Sequence, residues 1–473
     1  MNQRVGWWIP GLMMAGLSTL GAPIGVAAPL APVQEAPPAE KTSPGQEGMI
    51  LAREATLEKS LSETKTIPLP AATKGITLDE CLALAYQQNL GLAIKREAVL
   101  GKRASESAKF RKMLPSVNLE SSRYDYIQNT ESGGSLAESY ESSITITQPL
   151  YRGKALWSSW KSAGISKEQA SLDAERQAET LTRDVKKIWY QLLEADQLLT
   201  ETTSSLERLQ QHEKNAEAFY QEGRYWRNEV LQARVEVAQG EQKVIESKNK
   251  VALAKSRLNR LLRQPLETPL NPQGDLSWQD LSWSLESAYD HAQGERPDLK
   301  KAHLAIESGE WGEESARAGM LPTVDLSASW SWEADDIHYR DTDTEGHISL
   351  NLDWDIWEWG RTRQEVAAAR STTRQKRLSH QEMVDKVRLE VREAFLNAQE
   401  ASLRVGVLKK ALEQAEENYR VNQIRYRERL GTATDVLDAQ ELLTKTRKDH
   451  ISALSSYLQA LATLDFAVGR EFS

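Results

Sequence analysis

The chain has 473 residues, a net charge of -9 and 27% charged residues, with a mean hydropathy of -0.56. That polarity excludes a bundle of membrane helices, and a negative balance without a Lys/Arg block argues against nucleic acid as a partner. The single cysteine, Cys81, excludes an intrachain disulfide and lies too deep in the chain to be a lipidated N-terminus.

Residues 1–28 read as a signal peptide. Arg4 supplies a positive start, Trp7–Val26 is apolar or small, and Val26-Ala27-Ala28 offers a cleavage site. Residues 29–74 read as a tether, opening on the Pro/Ala-rich run Pro29–Ser43. After residue 30 no run approaches the ~20 apolar residues that a spanning helix needs.

Residues 75–270 form a first unit. Its opening helix spans roughly Leu78–Met113 and stops at Leu114-Pro115, since proline cannot continue a helix. Extended segments at 117–128 and 140–151 follow, joined by a loop around Ser132-Gly133-Gly134. From Lys154 to about Tyr220 helix formers dominate; Gly223 breaks the run, and a helix resumes through about Leu262. After a linker at 271–284, residues 285–473 repeat the plan. A helix covers roughly Leu285–Met320, strands cover 323–332 and 347–357, and a helix runs from Arg361 to about Arg429. A turn at Gly431 leads to a last helix ending near Val468.

The repetition extends to landmarks about 206 residues apart: Leu114-Pro115 returns as Leu321-Pro322, Gly153 as Gly360, and Glu229-Val230-Leu231 as Asp435-Val436-Leu437. The period far exceeds the ~20–50 residues of solenoid repeats, so each copy is a whole structural half. Within the long helices Val185, Ile188, Leu192, Ala195 and Leu199 step by three and four, the narrow stripe of a coiled coil. A helix of about 69 residues is about 100 Å long, and the two shorter helices of each half, end to end, match it.

The strands carry the second pattern. Ile348, Leu350, Leu352, Trp354 and Ile356 alternate with polar residues, as do Val324, Leu326, Ala328, Trp330 and Trp332. The first half gives Tyr140, Ile144, Ile146 and Leu150, while 117–126 alternates poorly. Segments of about ten residues, apolar on one side and polar on the other, suit membrane strands with lipid outside and water inside. A soluble sandwich with one wet face is the alternative, but four strands bury too little and nothing is left to cover them. Four strands also cannot close a membrane barrel, whose smallest members have about eight, so the chain is expected to oligomerise.

With these landmarks the chain resembles the TolC family of outer-membrane efflux proteins over nearly all of Gly75–Glu471. The resemblance rests on the Ile76–Ala85 opening, Leu114-Pro115 and its twin, the strand exits at Gly153 and Gly360, and the turns before Val230-Leu231 and Val436-Leu437. It implies a mainly α fold with membrane β. Three chains would build a twelve-stranded barrel continued by a twelve-helix coiled-coil tunnel through the periplasm. Such a homotrimer is a passive exit duct for an efflux pump or type I secretion system. It sits in outer-membrane lipid and works with a periplasmic membrane-fusion adaptor and an inner-membrane pump or secretion ATPase.

The resemblance also assigns the turns. Gly223, Arg224, Val230, Leu231, Leu430, Gly431, Val436 and Leu437 would meet the adaptor at the periplasmic tip. Asp435 and Asp438 sit at i and i+3 on one helix face. They match acidic positions that ring the family's aperture, where three chains bring six carboxylates together and attract cations. Helix capping is the plainer reading of the same residues. Tyr426 matches a tyrosine that latches the tip, and Glu229 an acidic partner on the neighbouring hairpin. The family's glycine six residues before Asp435 is Arg429 here, and Gly431 stands where some members place a latch arginine.

Trp330, Trp332, Trp354, Trp357 and Trp359 suit membrane-interface positions, since an indole is apolar with one polar N–H. The acidic run with Asp335, Asp336, His338, Asp341, Asp343 and His347 reads as a solvated loop, its spacing fitting no metal. No catalytic constellation and no cofactor motif emerges. The rival to a channel is a periplasmic adaptor or coiled-coil scaffold, which would carry one hairpin flanked by Gly-rich β-domains.

Overall fold

The computed structural model describes residues 75–130, 133–223, 226–334, 342–428 and 430–469. The expected signal peptide and tether, together with Arg224, Asp335, Asp336, His338, Asp341 and Arg429, lie outside these residues.

The opening helix is two helices, α1 (Leu78–Gln88) and α2 (Leu90–Arg111). Thr77 and Glu80 form a capping box at the start of α1. Asn89 then takes an extended backbone that ends α1, and its Oδ1 accepts the Leu92 N–H to begin α2. The second copy breaks at the corresponding place into α5 (Leu285–Glu295) and α6 (Pro297–Ala318). There the proline opens the new helix and keeps Arg296 extended at φ -60°, ψ 122°. Long-range periodicity carried the expectation of one helix across both breaks.

Strands β1 (Ser116–Thr130), β2 (Gly133–Arg152), β3 (Thr323–Ala334) and β4 (Thr342–Asp353) form one antiparallel sheet in sequence order. Pairing of β1 with β2 continues to Thr130 and Gly133, so both run further than the alternation indicated. β4 lies several residues earlier than expected. Its partner β3 begins at Thr323, opposite Asp353, because Pro322 precedes it, and so Trp354–Trp357 has no strand to pair with.

From β2 the chain enters α3 (Ala155–Gln221) through Gly153 and Lys154 at φ +55° and +70°. A Cβ on Gly153 would lie 2.8 Å from the Ala318 carbonyl oxygen, so only glycine fits this left-handed turn. α4 (Arg227–Leu261) returns along α3, and in the second half α7 (Arg361–Arg427) is followed by α8 (Ala433–Val468). α3 and α7 have 67 residues each, about 100 Å at 1.5 Å per residue.

Near the sheet the helices pack in the order α2, α3, α6, α7; towards the turns the order is α4, α3, α8, α7. Each level therefore ends on α7 at one side and on α2 or α4 at the other. Contrary to the expectation that no such run exists, α8 is long and apolar enough to cross a membrane. Its apolar residues are spent on packing. Leu464 and Val468 join Val387, Val391 and Ala394 of α7, and Leu458 joins Val185 and Leu192 of α3.

An ionic cluster closes the end of α8. Arg296 is 2% exposed. It donates to Asp298 from Nε (2.9 Å) and Nη2 (2.5 Å), to Glu390 (2.8 Å) and to the Ala467 carbonyl (3.0 Å). Arg176 donates to the Phe466 carbonyl at 3.0 Å and to Glu179. Two guanidinium groups thus meet the negative end of the α8 dipole. Burial opposes the charge on Arg296, but Asp298 and Glu390 outweigh it and raise its pKa.

Candidate functional site

Register places Val117, Leu119, Ile144, Ile146, Val324, Leu326, Ala328, Trp330, Ile348, Leu350 and Leu352 on one face of the sheet. Val117, Leu119, Ile348, Leu350 and Leu352 are all well exposed. The opposite face carries Ser116, Asn118, Thr145, Thr147, Ser327, Ser329 and Asn351. Short hydroxyl contacts run across it, such as Thr145–Ser329 (3.0 Å) and Ser327–Ser349 (2.8 Å), and Arg152 pairs there with Asp325. One face is suited to hydrocarbon and the other to water. The apolar face spans Val324 to Trp332, about 27 Å along the strand. At a tilt of about 40° that is about 21 Å, close to the ~25 Å apolar band of outer-membrane barrels.

Of the five singled-out tryptophans, Trp330 and Trp332 lie on β3 at the end away from the helices. The Trp330 ring covers Gly346 of β4, where a Cβ would come within 2.7 Å of it. Trp354 and Trp357 are not on a strand, a correction that follows from the early end of β4, and Trp359 lies beyond them. They follow it, exposed, at the helix end of the sheet, with Trp354 Nε1 donating to the Met320 carbonyl at 3.2 Å. A turn near Trp359 (φ +52°) and Gly360 (φ +82°) then feeds α7.

At the far end of the helices lie the two turns. Gly223, at φ +72° and exposed, donates its N–H to the Tyr220 carbonyl and ends α3. Glu229 is the third residue of α4, and its Oε2 is enclosed without a hydrogen bond. Val230 is buried with Ala216 and Ala233, whereas Leu231 is exposed.

The second turn is closed by Leu430 N–H on the Arg425 carbonyl at 2.7 Å, with Leu430 itself exposed and Gly431 half-buried. Thr432 and Asp435 then form a capping box: Asp435 Oδ2 accepts the Thr432 N–H at 2.8 Å, and Thr432 Oγ1 accepts the Asp435 N–H at 3.1 Å. The Thr432 N–H, followed by its hydroxyl, holds the Asp435 carboxyl below the usual carboxylate range. The structure thus gives Asp435 a capping role, and its carboxylate remains exposed. Val436 is buried, while Leu437 and Asp438 line a cleft of about 360 Å³ between α4 and α8, floored by α3.

Tyr426 is 7% exposed, and its ring meets His212 (5.9 Å between centroids) and Phe219 (6.3 Å) of α3. Sequence reasoning missed His212, although Leu209, His212, Ala216 and Phe219 step by three and four and so mark a packed stripe. Among the described residues no group of His, Cys, Asp and Glu side chains is arranged to hold a metal ion.

A profile of the outer membrane efflux protein family matches residues 86–263 and 288–470, one segment per half. The alkaline protease secretion protein AprF of Pseudomonas aeruginosa is 25% identical over 356 residues, 70% of each chain. Among solved structures, the CmeC outer membrane channel of Campylobacter jejuni superposes with a TM-score of 0.72 at 15% identity, covering 83% of this chain and 85% of that one. The open state of the MtrE outer membrane channel of Neisseria gonorrhoeae gives 0.71 at 18% identity, covering 83% and 88%.

Proposed function

Because the chain belongs to the outer membrane efflux protein family, we propose that three copies close their sheets into one twelve-stranded barrel over a twelve-helix tunnel. The chain is an outer-membrane transport conduit with a long periplasmic helical portion, and not an enzyme. The observation that carries the trimer is the sheet itself. Its apolar face is exposed, and among the described residues β1 and β4 each leave one edge unpaired. Open edges do not survive in hydrocarbon, where every backbone group needs a partner. A β1 edge joined to the next chain's β4 removes both.

The helices offer the matching seam, with Leu389, Leu396, Leu403 and Val407 exposed on α7 at heptad spacing. Cargo moves passively through the water-lined bore, and the driving force comes from an inner-membrane pump or secretion ATPase reached through an adaptor. The likeness to a protease secretion protein supports the secretion assignment, and the match to the outer membrane efflux protein family supports efflux. The adaptor docks where the turns expose Leu231 and Leu430. Asp435 and Asp438 of three chains line the aperture, Asp435 serving also as a cap, and Trp330, Trp332, Trp354, Trp357 and Trp359 mark the two membrane interfaces.

In planar bilayers Asp435→Ala with Asp438→Ala is expected to raise conductance or abolish block by divalent cations; unchanged conductance and block would remove the aperture assignment. A periplasmic adaptor is disfavoured by the same sheet, because a soluble protein has no use for its exposed apolar face.

A further inference from the structure

The two halves differ most tellingly where α3 meets α7 near the turns. Tyr426 is buried, while its counterpart one repeat earlier, Tyr220, is exposed. His212 is buried at 8% exposure, while its counterpart one repeat later, Asn418, is exposed. The equivalent pair, Asn418 with Tyr220, would meet only between neighbouring chains of the trimer, and of the two duplicated positions 212 and 418 only the first carries a histidine.

We propose that His212 is a proton switch: as the surroundings acidify, its imidazole takes up a proton and releases Tyr426, loosening α7 from α3 at the tip. The inference rests on the channel reading above and concerns what regulates that channel's tip. Its physical basis is the burial of His212 against the Tyr426 ring. An imidazolium brings a full charge and a second N–H donor there, and among the described residues no carboxylate forms an ion pair with it.

Of the charged groups on the elements around it, Glu229 of α4 has an enclosed Oε2 without a hydrogen bond but does not act on the imidazole, and others are engaged elsewhere. On α3, Arg208 holds Glu201 at 2.7 Å, and Glu213 and Glu217 pair with Arg234 of α4 at 3.5 and 3.1 Å. On α7, Arg425 donates to the Leu430 carbonyl, and on α8 Asp435 is occupied by Thr432. None of these charges shifts the imidazole, whose pKa is lowered by burial alone.

The sign follows. A histidine with a lowered pKa in the packed state binds fewer protons there than when released. The contact is at full strength above the free value of about 6.5 and is lost as pH falls below it. Between pH 7.5 and 5.5 the released-to-packed ratio rises about tenfold per protomer if the packed imidazole stays neutral. The Asp435 carboxyl, held below the ordinary carboxylate range, stays ionised across this window.

The test is open probability of purified trimers in planar bilayers at pH 7.5 and 5.5, for the native protein and for His212→Gln. The native channel is expected to open several-fold more at pH 5.5 and the variant to show a flat response. Hydrogen exchange of residues 420–428, corrected for the intrinsic pH dependence, should quicken on acidification in the native protein only. An equal acid response in His212→Gln, or none in the native channel, overturns the switch while leaving the channel reading intact. Failure to form any conducting trimer at either pH would instead refute the channel reading, and the switch with it.

Discussion

Replacing Ile146 with arginine separates a lipid-facing sheet from a water-facing one by the size of the penalty. Ile146 sits on β2 between Val117 of β1 and Ala328 of β3, away from both sheet edges. It stands six residues before Arg152, about 20 Å along the strand. At a tilt of about 40° that places it about 15 Å above the helix end, near the middle of a ~25 Å apolar band. Its side chain is 45% exposed within the protomer. In water the substitution would forfeit about half the burial of one isoleucine, about 1 kcal/mol, partly recovered by the aliphatic stem of arginine. In lipid, arginine near the midplane of a barrel costs about 2–4 kcal/mol per chain.

Thr145→Arg is the internal comparison, because Thr145 points to the polar face and loses only its contact to Ser329, about 1 kcal/mol. The assay is guanidinium unfolding after insertion into lipid vesicles, read by midpoint at constant slope. Ile146→Arg is expected to cost at least twice as much as Thr145→Arg. Equal penalties would refute the assignment of the two faces.

Arg296→Met leaves Asp298 and Glu390 without their shared guanidinium and uncaps the Ala467 carbonyl. It should cost about 3 kcal/mol by denaturant titration, at the low end for a broken buried pair because Glu390 is part-exposed. Burial, assisted by nearby Glu80, pushes the Cys81 thiol up to about 12. At pH 8 a maleimide should therefore leave the folded protein unlabelled and react only after denaturation; labelling at the unfolded rate would contradict the core assignment. At the start of α8, the lowered pKa of Asp435 means that its cap is fully present above the ordinary carboxylate value and is lost as pH falls through the folded one. Hydrogen exchange at residues 433–437 should accelerate below about pH 4 and be uniformly fast in Thr432→Ala, which removes about 1 kcal/mol of capping.

Much of the architecture was legible because it rests on repeated, local physics. Leu114-Pro115 and Leu321-Pro322 end helices wherever they stand, and the alternation of Val324 to Trp332 identifies the face of β3 without reference to any partner. What escaped were features decided by a single residue against a long pattern. Asn89 and Arg296-Pro297 break helices whose apolar stripe runs on regardless, and Pro322 ends the partnership that would have kept Trp354 on a strand. At the tip, helix capping was legible as the plainer reading of Asp435, while the partner it takes, the Thr432 N–H, depends on where α8 starts. His212 escaped because a helix stripe of this spacing is ordinarily apolar, although its position lies inside one.

In the proposed trimer β1 of one chain pairs with β4 of the next, and cross-linking between those edges reads that pairing. Asn118 and Asn351 lie on the polar face of the two outermost strands. Within one chain three strand spacings and a four-residue offset along the strands separate them, more than about 14 Å, too far for a bis-maleimide of shorter reach. In outer membranes carrying Asn118→Cys with Asn351→Cys, the reagent should yield covalent dimers and trimers and no larger species. Monomers alone, or a ladder continuing beyond three chains, would contradict a closed trimeric barrel.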